Sequence, residues 1–127
     1  MKRIALILLS CILFFSCNSS EEFNSKSACG VKNPVEDLAW LKNEIDEREQ
    51  NDSVDWRYHY ILQTSFKKQD IFIYGDCCPN CNSVYVVYNC SGENIGYIGD
   101  DKYSSDLLSK GTVIWKSSNN ECDFSLN

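Results

Sequence analysis

The stretch Val54-Asp55-Trp56-Arg57-Tyr58-His59-Tyr60-Ile61-Leu62-Gln63-Thr64-Ser65-Phe66 decides the fold class. Trp56, Tyr58, Tyr60, Leu62, Thr64 and Phe66 share one parity, and Arg57, His59, Gln63 and Ser65 the other. Successive side chains of a strand point to opposite faces, so period two predicts a long β-strand. Downstream, Lys67 to Asp70 reads as a turn, Ile71 to Tyr74 as a second strand and Val84 to Tyr88 as a third. Ser91-Gly92-Glu93-Asn94 is a hairpin-type turn into Ile95 to Ile98. Tyr103 to Lys110 has room for one helical turn ending at Gly111, and Thr112 to Trp115 makes the last strand. Short connections favour antiparallel neighbours, which predicts a five-strand meander.

Upstream the period changes. Val35, Leu38, Leu41 and Ile45 recur at helical spacing, with Asn43, Glu44, Glu47 and Arg48 mostly on the other side. Asn33 suits the cap, Pro34 the first helical position, and Glu36 the far corner of a capping box. The helix is predicted to begin at Asn33 and fade near Gln50, with Trp40 at the edge of its stripe and a turn at Asn51-Asp52-Ser53. The expected fold is α+β: one N-terminal helix packed on an antiparallel sheet of about five strands, in a single domain over 33–127.

The chain opens with a basic Met1-Lys2-Arg3, an apolar run from Ile4 to Phe15, and Ser16-Cys17. That order reads as an export signal, and the run is shorter than the ~20 apolar residues a spanning helix needs. Phe14-Phe15-Ser16-Cys17 resembles the lipobox of bacterial lipoprotein signal peptides. The resemblance implies a signal peptide over 1–16, cleavage before Cys17, acylation of Cys17, and membrane attachment through that N-terminal lipid. Residues 17–32 then form the anchor and a polar tether. Within it, Asn18-Ser19-Ser20-Glu21-Glu22 is similar to the Ser-plus-acidic export tags of some surface-displayed Gram-negative lipoproteins.

Three further segments carry a resemblance: Cys29-Gly30-Val31 with Asn33-Pro34 and Leu38 to Lys42, Val87 to Gly92, and Gly111 to Lys116. They look like parts of a group of small Gram-negative lipoproteins of unknown function. The resemblance implies a protein lipid-anchored in the bacterial cell envelope, at the outer membrane and open to surface display. It transfers no activity and no site residue.

The formal net charge is −6, and loss of Lys2 and Arg3 with the signal makes it more negative. Such a balance disfavours nucleic acid and offers no basic patch to anionic lipid, so attachment rests on the acyl chains.

Of eight cysteines, Cys11 lies in the signal and Cys17 in the lipobox. Cys29, Cys77, Cys78, Cys81, Cys90 and Cys122 remain, an even set that in an exported domain reads as disulfides. In an alternating sheet the 77–83 loop and Cys90 lie at opposite ends, and the helix returns Cys29 to the Cys90 end. A disulfide does not reach beyond about 7 Å between Cα atoms, so Cys29–Cys90 is favoured over Cys81–Cys90. Cys122, on its tail, competes for the same partners.

Cys78-Pro79-Asn80-Cys81 is the sharpest chemical motif. A C-x-x-C pair serves thiol–disulfide exchange when a helix N-terminus lowers the pKa of one thiol. Here the residues after Cys81 favour a strand, Pro34 and Pro79 are the only prolines, and Cys77 adds a neighbouring thiol. A four-thiolate zinc site from Cys78, Cys81, Cys90 and Cys122 lacks the second close pair, so no metal and no cofactor is expected. His59, the sole histidine, has no sequence-local nucleophile, and Asp100-Asp101-Lys102 lacks the ligand spacing of a calcium loop.

Trp56, Tyr58 and Tyr60 admit two readings: the core face beneath the helix, or a binding face for a protein or glycan ligand. Without a complete catalytic constellation, the chain reads as a non-catalytic binding or interaction module. The alternative is an envelope thiol–disulfide oxidoreductase using Cys78 and Cys81.

Overall fold

Lys67 and Lys68 set the register of the sheet. Both have positive φ, 49° and 66°, as in a type I′ hairpin turn, whose twist matches that of the strands it joins. The turn is therefore these two residues, not Lys67 to Asp70. It pairs β1 (His59–Phe66) antiparallel with β2 (Gln69–Asp76), from Phe66 opposite Gln69 out to His59 opposite Asp76. The computed structural model describes residues 26–124, so the signal segment, Cys17 and the start of the tether lie outside the described residues.

β3 (Val86–Tyr88) joins β2, and β4 (Asn94–Tyr97) joins β3, each antiparallel. The five-strand antiparallel sheet runs β4-β3-β2-β1-β5, where β5 is Thr112–Lys116. Only the first four strands form a meander, which corrects the expected topology. The reason is the segment between β4 and β5. Tyr103, and Leu107 of a short helix (Asp106–Lys110), are buried with Leu62, Ile71, Ile73 and Val87. The chain thus crosses one face of the sheet and delivers β5 to the free edge of β1.

Two buried clusters, one on each face of the sheet, follow from strand parity. Tyr60, Leu62 and Phe66 belong with Tyr103 and Leu107, while Ile61, Phe72 and Tyr74 belong with Leu41, Ile45 and Trp115. The alternating stripe therefore lies under the 103–107 crossing, and Leu41 and Ile45 meet the opposite face. Among the described residues, Ile61 to Gln63 of β1 and Ile71 to Gly75 of β2 are buried, so the middle of the sheet is covered on both faces.

The helical segment is broken. α1 (Pro34–Asp37) and α2 (Ala39–Gln50) are separated by Leu38 in an extended conformation, φ −90° and ψ 103°. Asn33 provides no side-chain cap; its N–H instead donates to Asp37 Oδ2 at 2.9 Å. Glu36, expected in the capping box, pairs with Lys42. Trp40 packs edge-on against Phe72 at 5.5 Å, stacks near Tyr88, and donates its indole N–H to the Cys90 carbonyl.

Three disulfides brace the domain: Cys29–Cys90, Cys77–Cys122 and Cys78–Cys81. The first is the pair favoured from the sequence; Cys122 takes Cys77 and does not compete for Cys90. Cys29 N–H also donates to Asp70 Oδ2 at 2.6 Å, near the start of β2. The other two bridges follow Asp76 at its end, roughly 20 Å further along the strand. Both edge strands are bulged, as the pairing shifts at Ile114 and at Ile95, and bulges discourage strand addition. Among the described residues no helix is long and apolar enough to cross a membrane.

Candidate functional site

Trp56 and Tyr58 do not continue β1. They sit in the turn before it, where His59 N–H donates to the Trp56 carbonyl at 2.9 Å. The Trp56 indole N–H donates to the Asn51 carbonyl, which holds the ring at the end of α2. Arg48, on the last turn of that helix, lies 4.7 Å from the Trp56 ring centroid and 4.6 Å from that of Tyr74. Its Nε and Nη2 both donate to Glu44 Oε1, so the cation is held by two rings and a carboxylate. Tyr58 stays beside Arg57, and the Glu121 carboxylate raises its hydroxyl pKa. Tyr60 leaves for the other face, where it lies across Gly75, packs against Phe124, and has its pKa pushed up to about 12, chiefly by burial. The three aromatics of the sequence stripe are thus dispersed, and Trp56 alone reaches a groove.

Two grooves meet at the wall formed by Trp56 and Arg48. One, of about 500 Å³, runs between the 51–56 loop and residues 117–119. On its lining Asp55 binds Arg57, Asn51 Oδ1 accepts from Ser53, and Glu49 accepts from the Trp115 indole, while Asp52, Ser118 and Asn119 complete the wall. The second, of about 470 Å³, lies between Trp56 and the loop carrying Cys81, over Tyr74, Val86 and Tyr88. Val84 on its lining is 63% exposed, the largest exposure among the big apolar side chains of the described residues.

The second groove brings an imidazole and a carboxylate together. His59 and Asp76 line it as direct cross-strand partners. Asp76 Oδ1 accepts from the Cys78 N–H at 2.7 Å, and Oδ2 has no hydrogen bond among the described residues. Neither ring nitrogen of His59 has one; the ring meets Trp56 edge-on at 5.0 Å. Ser83 Oγ is buried without a partner among the described residues, and the exposed Asn82 precedes it on the lining. Burial lowers the His59 pKa and the Arg48 charge adds to the effect, while Asp76 opposes it. The imidazole is therefore neutral at pH 7, offering one donor and one acceptor.

Cys78–Cys81 forms the rim of this groove in a turn, with Cys81 N–H near the Cys78 carbonyl and no helix after Cys81 before β3. The helix terminus that would lower a thiol pKa is not at this motif. The four thiols of the zinc alternative are distributed over three different bridges. Asp100 accepts backbone N–H groups of Tyr97, Lys102 and Tyr103, which makes it the organiser of a turn.

Trp56, His59 and the motif at Cys78 stand out in the sequence, whereas Arg48 reads only as lying opposite the apolar stripe, Tyr74 only as part of a strand, and Asp76 carries no role. A signal for Asp76 was present. Placing the hairpin turn at Lys67-Lys68 sets His59 opposite Asp76 by counting outward. Compared with known proteins, the chain matches no family model, no curated protein and no solved structure.

Proposed function

We propose that this chain is an exported bacterial envelope protein, anchored through acylated Cys17, whose disulfide-braced domain is a binding module. Its ligand, protein or glycan, occupies the groove between Trp56 and the Cys78–Cys81 loop. The observation that carries the reading is the convergence of Asp76, whose Oδ2 has no hydrogen bond among the described residues, with His59 and Asn82 on a groove lined by Tyr74, Val84, Val86 and Tyr88. Concave sites with an apolar lining and a few convergent polar groups are where small ligands bind. Position supports it as well. The first described residues lie near Gln63 and Asp70, where Gln63 Nε2 donates to the Lys26 carbonyl and Cys29 N–H to Asp70, and the groove lies toward the opposite end of β1 and β2. The groove thus opens at the end of the hairpin away from the first described residues.

A thermal-shift screen of the full chain in detergent against a small-fragment library tests this. Groove ligands raise the melting temperature of the native protein and lose that effect in Val84→Asp, which alters an exposed rim position. Hits that stabilise both proteins equally, or no hits, would overturn the reading.

A further inference from the structure

The groove's chemistry narrows the ligand class, on the reading just given that it is a binding site. Its floor is Tyr74, Val86 and Tyr88, and its polar groups are a carboxylate oxygen, two imidazole nitrogens, a carboxamide and a buried hydroxyl. An apolar side chain seated there would strand the carboxylate oxygen, the imidazole nitrogens and the carboxamide away from water, and each one left unmatched opposes binding. A strongly anionic ligand would meet Asp76, and the Arg48 cation is already engaged by Glu44. A cationic ligand would find Asp76 alone, beside Arg48. A polyhydroxylated ring meets none of these objections. Its hydroxyls donate to Asp76 Oδ2 and accept from the exposed Asn82 amide, the neutral imidazole can do either, and its C–H groups meet the apolar side chains of Val84 and Val86. The 470 Å³ volume lies within the range of small-molecule sites and suits one or two sugar rings.

We propose that the groove between Trp56 and the Cys78–Cys81 loop binds a neutral saccharide, with Asp76 and His59 as its principal hydroxyl partners.

The test is saturation-transfer NMR and titration calorimetry on the full chain in detergent, with cellobiose, maltose, lactose and chitobiose as probes. At least one disaccharide is expected to bind saturably. Asp76→Asn is expected to weaken it tenfold or more without lowering the melting temperature, since the asparagine oxygen still accepts from the Cys78 N–H. Sugar binding that is unchanged in Asp76→Asn would overturn the assignment of this groove. If every sugar fails while Val84-dependent fragment hits persist, the saccharide proposal falls and the binding reading stands. If both fail, both readings fall.

Discussion

His59 and Asp76 face each other as the last residue pair of the β1–β2 ladder, at the end of the sheet where the groove opens. Neither would be a notable residue alone. Together they set an imidazole beside a carboxylate on the face that also carries Tyr74, with Arg48 laid over that ring. The relationship is a consequence of a two-residue turn eight positions away, because antiparallel register propagates the length of a hairpin.

The first prediction concerns that pair. Burial favours the neutral imidazole, so the NMR titration midpoint of His59 lies below the usual 6.5. Asp76 supports the charged form, so Asp76→Asn moves the midpoint lower still. The sign for stability follows. The unfolded chain takes up the proton first, so the His59 contribution is full above pH 6.5 and is lost as pH falls below it. An upward shift of the midpoint in Asp76→Asn would contradict the electrostatics.

Gly92 is held by two constraints at once. Its φ is +78°, and a Cβ there would lie 2.7 Å from Trp40 Cδ2. Trp40 in turn binds the Cys90 carbonyl and packs on Phe72. Gly92→Ala is expected to destabilise the domain by about 1–3 kcal/mol, read as a lower urea midpoint. An unchanged midpoint would mean that Trp40 does not fix this turn.

The bridges differ in what they close. Cys29–Cys90 spans 61 residues, Cys78–Cys81 only three. Loop-closure entropy assigns about 4 kcal/mol to the first and about 2 kcal/mol to the second. Serine replacement of the Cys29–Cys90 pair should therefore lower the urea midpoint well beyond replacement of the Cys78–Cys81 pair. Equal losses would show that the short bridge holds more of the fold than its own loop.

The anchor has its own readout. The full chain expressed with its signal is expected to lose residues 1–16, gain acyl mass at Cys17 and fractionate with membranes; Cys17→Ser should abolish acylation and membrane recovery. Membrane recovery of Cys17→Ser at the native level would contradict lipid anchoring.

Strands were legible where alternation was local. Tyr60, Leu62 and Phe66 lie on one face as their parity requires, and Cys29–Cys90 followed from the ends of an alternating sheet. The position of β5 was not legible, since it depends on Tyr103 and Leu107 covering a face that the local pattern leaves unassigned. Nor was the groove. Trp56 has strand parity, but its indole finds the Asn51 carbonyl and Arg48, and those contacts end the strand at His59. Arg48 reads only as a residue opposite the helix's apolar stripe until Tyr74 is placed beside it by the sheet.

The most direct test of the central claim is amide chemical-shift mapping on the 15N-labelled full chain, titrated with the strongest binder from the fragment or disaccharide panels. The account predicts saturable shifts clustered at Trp56, His59, Asp76, Asn82 and Ser83, with residues near Cys29 and Asp70 unmoved. Shifts centred on the 117–119 cleft, on β4 or on the Cys29 end, with the groove residues silent, would contradict it.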